Sequence, residues 1–135
     1  MIETGTKGRA EITVTKELTA CAMGSGELEV FATPAMIALM EETAWRSVAG
    51  CLAPGEGTVG TKLEISHVRA TPVGMKVVCE TIVTLVDRRR IVFDVKVSDE
   101  RGLIGEGRHE RFVIENERFM RKVKTEEKDE RDDNA

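Results

Sequence analysis

Between Pro34 and Met40 seven consecutive residues are apolar, and the run ends at a carboxylate, Glu41. The segment from about Thr33 to Leu52 has the length and periodicity of a helix. Thr33 suits the N-cap, and Pro34 the first helical position, where a missing N–H costs nothing. "APGEG" at 53–57 ends it. Before the helix, "AEITVTKE" (10–17) alternates, with Ile12 and Val14 on one face, and predicts a strand. After it the chain is strand-like throughout. The predicted strands cover 58–70, 75–87, 91–100 and 103–116, joined by "TPVG", "RRR" and "RG". Tight connections favour antiparallel pairing with the helix on one face. The expected fold is α+β: a curved antiparallel sheet wrapping one long apolar helix, the arrangement called a hotdog fold.

On a helical wheel with Met36 at zero, Met40, Cys51, Ala44, Ile37 and Val48 fall between about 40° and 120°. Glu41 falls at about 140°, inside the edge of the apolar arc, whereas Glu42 and Arg46 lie opposite, near about 240° and 280°, where they can pair. The two adjacent glutamates are therefore not equivalent. An ionised carboxylate beside apolar neighbours is costly unless it is hydrogen-bonded or functional. In "VGTKLEISHV" strict alternation sets Val59, Leu63, Ile65 and His67 on one face. His67 thus faces the core that receives the helix. Its bland reading is a satisfied core histidine; its functional reading is an acid–base partner for Glu41. In "EGRHERFVI" alternation groups His109 and Arg111 with Val113 and Leu103, which the bland reading makes the exposed face of an edge strand.

The bulk properties narrow the classes. One hundred and thirty-five residues suit one domain with one core. A net charge of −4 argues against nucleic acid as a partner, and no apolar run is long enough to span a bilayer. The N-terminal "MIETGTKGRAEI" lacks the apolar core of a signal peptide, so the expected location is cytoplasmic. Cys21, Cys51 and Cys79 form no CxxC pair, suggest no zinc site or disulfide framework, and read as small buried hydrophobes. No metal and no separate cofactor is expected. From Glu117 the chain is densely charged; residues 1–123 form the expected domain and 124–135 a charged, disordered tail.

"VFATPAMIALMEETAWRSVAGCLAPGEGTVGTKLEISHVRATPVG" and the later "IGEGRHERFVI" resemble the fluoroacetyl-CoA thioesterase group of hotdog-fold acyl-CoA thioesterases. The likeness runs over roughly residues 9–123 in order and spacing. It implies hydrolysis of a short or small acyl-CoA to the free acid and CoA. By position it implies Thr33, Glu41 and His67 as catalytic and Gly60 and Arg111 as substrate-contacting. Coenzyme A belongs to the substrate. The resemblance also implies a homodimer, or a dimer of dimers, with pockets between subunits. In that group a lid between first strand and helix carries phenylalanines that close over the substrate. Here the segment reads "GSGELE" (24–29), with no aromatic until Phe31, so a strong fluoroacetyl preference is not expected. The alternatives are a non-catalytic acyl-CoA-binding module, which would lose the acid–base residues this chain keeps, and a hydratase of the same fold, which would want a different His/Asp layout.

Overall fold

The computed structural model describes residues 1–125. Five strands form one antiparallel sheet: β1 (Lys7–Thr13), β2 (Glu56–His67), β3 (Lys76–Asp87), β4 (Arg90–Asp99) and β5 (Gly102–Glu115), in the order β1-β3-β4-β5-β2. Between β1 and β2 come a 3₁₀ turn at Lys16–Leu18, the short α1 (Ala20–Met23) and the long α2 (Thr33–Ala49); α3 (Asn116–Thr125) follows β5. The sheet curves around α2. The core between them includes Phe31, Met36, Met40, Val48, Phe93 and Val97. None of the helices described is long and apolar enough to cross a membrane.

β1 starts three residues earlier than its alternation predicts and stops at Thr13. Gly8 sits under α2, where an added Cβ would lie 2.7 Å from the Ser47 Cβ and 2.9 Å from the Thr43 carbonyl oxygen. Only glycine lets the strand pass that close to the helix. Helix α2 ends at Ala49 instead of Leu52, because the next amides, Cys51 and Leu52, bond back three residues to Val48 and Ala49. That tightening satisfies terminal carbonyls. The buried arc of α2 is wider than the wheel suggested, since Ala35, Leu39 and Thr43 are buried as well. The Glu42–Arg46 pair forms across one turn, with Nε to Oε1 at 3.2 Å.

Three bulges break strict alternation, one at Thr84 in β3 and two that move expected faces. In β2 the pairing shifts between Gly60 and Lys62, which makes Thr61 the extra residue. Leu63 and Ile65 pack on the core, but past the bulge the inward positions are Gly60 and Thr58, so Val59 turns to the other face and pairs beside Phe112. The expected grouping of Val59 with His67 fails for that reason. In β5 the pairing shifts around Ile104, which is buried, and Leu103 becomes 39% exposed. Leu103 therefore does not share a face with Arg111. The "RRR" connection is a two-residue turn at Arg88–Arg89 between the paired Asp87 and Arg90, with Arg88 at φ 57°.

Two further expectations change. Strand β5 lies between β4 and β2 and is not an edge; His109 and Arg111 on it are buried. Among the cysteines Cys79 is buried, and its thiol is pushed up to about 11, chiefly by burial. Cys21 is exposed, because α1 is a surface turn. Lys124 and Thr125, at the head of the expected tail, complete α3; residues 126–135 lie outside the described residues.

Candidate active site

Helix α2 begins with Ala32, not Thr33, at the N-cap, so no side chain caps it. Thr33 occupies the first helical position, and its hydroxyl lies 2.7 Å from Nδ1 of His67 at the end of β2. The two ends meet because Phe31 is anchored just before the helix: its amide donates to the Thr71 carbonyl, and its ring packs edge-on against His67 at 6.5 Å. His67 is half-buried. Burial draws its pKa below the ordinary value, and the nearby Arg69 backbone opposes that shift. Its Nε2 is buried and has no hydrogen-bond partner among the described residues. This pair lines a groove of about 300 Å³ with Ala20, Phe31, Val68 and Arg69.

The groove's far wall, residues 68–72, is fixed by Asp99. That carboxylate accepts from the Thr71 hydroxyl at 2.8 Å and the Arg101 amide at 2.8 Å, while Arg101 Nη2 donates to the Ala70 carbonyl at 2.7 Å. Burial alone would raise the Asp99 pKa; these donors hold it below the usual carboxylate range. The near wall is the 20–30 segment. Thr19 caps α1 by accepting from the Ala22 amide, Gly24 ends it at φ 75°, and the Ala20 amide donates to the Val30 carbonyl. It carries no aromatic side chain, and Leu28 at its tip is 69% exposed.

Two turns farther along α2 is a second polar group. Glu41 projects from the border of the buried arc, with its side chain 43% exposed and Oε2 3.7 Å from Arg111 Nη1. Arg111 is gripped by three further bonds. Nε donates to Thr58 Oγ1 at 2.8 Å, Nη2 to the Thr58 carbonyl at 3.0 Å, and Nη1 to His109 Nε2 at 3.1 Å. Burial lowers the Arg111 pKa and Glu41 opposes that shift. At Gly60 an added Cβ would lie 2.8 Å from Glu41 Oε2 and 3.3 Å from Arg111 Nη1. Any side chain there would fill the space before the carboxylate.

The five residues singled out from the sequence thus fall into two clusters in one chain: Thr33 with His67, and Glu41 with Gly60 and Arg111. Among the described residues no hydrogen bond joins Glu41 to His67. Glu41 is eight positions along the helix from Thr33, about 12 Å along the axis. The histidine beside Glu41 is His109, which the edge-strand reading passed over. The available signal was its apolar company on a strand whose place in the sheet the sequence alone does not show.

Residues 14–117 match the family described as "FlK: Fluoroacetyl-CoA-specific thioesterase". A fluoroacetyl-CoA thioesterase of Streptantibioticus cattleyicolor is 43% identical over 96 residues, covering 71% of this chain and 69% of its own length. A solved structure of the fluoroacetyl-CoA thioesterase FlK superposes with a TM-score of 0.88 at 33% identity, covering 95% of this chain and 99% of that one. A Thermus thermophilus protein of the thioesterase superfamily superposes with a TM-score of 0.83 at 28% identity, over 92% and 94% of the two chains.

Proposed function

Because the chain belongs to the fluoroacetyl-CoA-specific thioesterase family, we propose that it hydrolyses the thioester of a short acyl-CoA, releasing the carboxylic acid and CoA thiol. The observation that carries this reading is the 2.7 Å contact of Thr33 with His67 Nδ1, which leaves the buried Nε2 without a partner beside a groove at the start of α2.

In this reading the Thr33 hydroxyl accepts from Nδ1–H, which leaves the Nε2 lone pair as the base beside the groove. Burial keeps that imidazole neutral near pH 7. One proton must pass from the consumed water to the departing thiolate, and His67 relays it. Glu41 either attacks the carbonyl as the carboxylate, breaking the C–S bond and leaving a mixed anhydride that water opens while His67 takes the water's proton for the thiolate, or it takes the proton of an attacking water and passes it through His67 to the thiolate as the C–S bond breaks. Gly60 admits the acyl end, and Arg111 borders it. The free N–H groups at the start of α2 supply positive potential for the carbonyl oxygen as it becomes an oxyanion.

Glu41 starts about 12 Å along the α2 axis from Thr33, the residue that touches His67. We therefore assign each site to two copies: Thr33 and His67 from one, Glu41, Gly60 and Arg111 from its partner. The long outer edge of β2, unpaired in a single chain, invites a second subunit.

A thiol-release assay over short acyl-CoAs, acetyl- and fluoroacetyl-CoA included, tests the function. Wild type should turn over at least one, and Glu41→Gln should lower its turnover by about 100-fold or more. Binding of acyl-CoA without release would identify a binding module instead.

A further inference from the structure

His109 has no part in the chemistry proposed above, yet it is 1% exposed and fully bonded at both ring nitrogens. Nδ1 lies 2.9 Å from the Lys62 carbonyl. A carbonyl only accepts, so Nδ1 carries a proton. Nε2 lies 3.1 Å from Arg111 Nη1. A guanidinium only donates, so Nε2 must offer its lone pair. The two contacts together fix one species: neutral imidazole in the Nδ1–H tautomer. Its ring is further held by stacking on Phe93 at 6.0 Å.

The same contact completes the grip on Arg111. Thr58 takes one hydrogen from Nε and one from Nη2, and His109 takes one from Nη1. Of five guanidinium hydrogens, one on each terminal nitrogen is left. The free hydrogen of Nη1 belongs to the atom that lies 3.7 Å from Glu41 Oε2 and 3.3 Å from the place a Gly60 Cβ would take. The β2 bulge makes this possible. It turns Thr58 and Gly60 inward, and Lys62, immediately after it, supplies the carbonyl that sets the His109 tautomer.

We propose that His109 is the positioning residue for Arg111: by accepting from Nη1 it fixes the guanidinium plane and aims the remaining Nη1 hydrogen across Gly60 at the acyl end of the substrate. The proposal rests on the thioesterase reading for the word substrate, not for the geometry. The charges around the ring agree with it. Burial and the Arg111 cation both disfavour a proton on His109, while the Lys62 carbonyl, Glu41 on α2 and Glu110 on its own strand favour one; the balance lowers its pKa and keeps it neutral. A protonated ring would turn an N–H toward Arg111 and release it.

The test combines two variants with a measurement that needs no activity. His109→Phe keeps the ring on Phe93 and removes the acceptor; His109→Gln returns an amide oxygen within reach of Nη1. His109→Phe should lower kcat/KM by about 10- to 100-fold, the scale for a slightly misplaced site group, and His109→Gln should recover much of that loss. Nitrogen-15 NMR of the full-length wild type should show the Nδ1–H tautomer at pH 7, and the Arg111 Nε–H signal should lose its protection from exchange in His109→Phe. Wild-type kcat/KM in both variants, equal losses in both, or an Nε2–H tautomer would overturn the proposal. If His109→Phe does not fold, the wild-type tautomer and the Arg111 signal of His109→Gln decide. If wild type releases no thiol from any acyl-CoA, the functional reading fails, and the two NMR signals still decide the positioning.

Discussion

The Thr33 hydroxyl lies 2.7 Å from Nδ1 of His67, thirty-four residues away in sequence, and this bond replaces the helix cap that Thr33 would otherwise supply. The hydroxyl can therefore be removed without uncapping α2. Thr33→Val should lower kcat by about tenfold or more through loss of His67 orientation, and Thr33→Ser should retain most of the rate. Melting temperature should hardly move in either variant. If Thr33→Val melts several degrees lower with kcat intact, the hydroxyl serves the helix and not the imidazole.

The pH profile follows from His67. Burial disfavours its charged form, so the neutral base persists below the ordinary histidine pKa of about 6.5. Thus kcat/KM should rise with pH through a midpoint below about 6.5 and then level. Stability has the same sign: the unfolded chain binds this proton more readily, so stability falls as pH drops from about 6.5 toward that midpoint and then levels. Circular dichroism at each pH separates the two effects. An acid limb centred above pH 7 in folded enzyme would remove His67 from the base role.

How much of this was legible in the sequence depends on what fixed each residue. The long helix and four later strands followed from period, because turn residues punctuate nearly every boundary. Glu41 is singled out by its place on the wheel, and His67 by its aliphatic neighbours on β2, as candidates. Val59 and Leu103 were misplaced because one inserted residue, Thr61 in β2 and Ile104 in β5, reverses every side chain beyond it. A bulge leaves little trace in hydropathy when the extra residue is small or apolar. His109 was undervalued because strand order is a long-range property. Only the pairing of β5 with both β4 and β2 makes its face interior.

Acyl selectivity should differ from the family's description. Residues 24–30 of the groove wall carry no aromatic side chain, and Phe31, which does line the groove, is 1% exposed and packed on His67. Phe31 is committed to the core and cannot act as a free lid. The ratio of kcat/KM for fluoroacetyl-CoA over acetyl-CoA should stay within the ~10–200-fold range of ordinary pocket differences. A ratio above about 1,000 would mean that a group other than a lid aromatic selects fluorine.

The separation of Glu41 from His67 makes the strongest demand on assembly. If each site takes His67 from one copy and Glu41 from the other, Glu41→Gln and His67→Ala should each be nearly inactive alone. Mixing them under conditions that exchange subunits should restore activity. A heterodimer of the two variants holds one site with both residues intact and one with both changed. Random exchange of equal amounts should then recover about a quarter of wild-type activity. Light scattering at micromolar concentration should give the mass of a dimer or a multiple of it. Deleting residues 126–135 should change neither mass nor activity, since "EEKDERDDNA" is too polar to bury at an interface. Recovery requires that the residues be shared. A mixture that stays inactive while native mass measurement shows exchanged heterodimers would place both residues of a working site in one chain, and a fully active monomer would do the same.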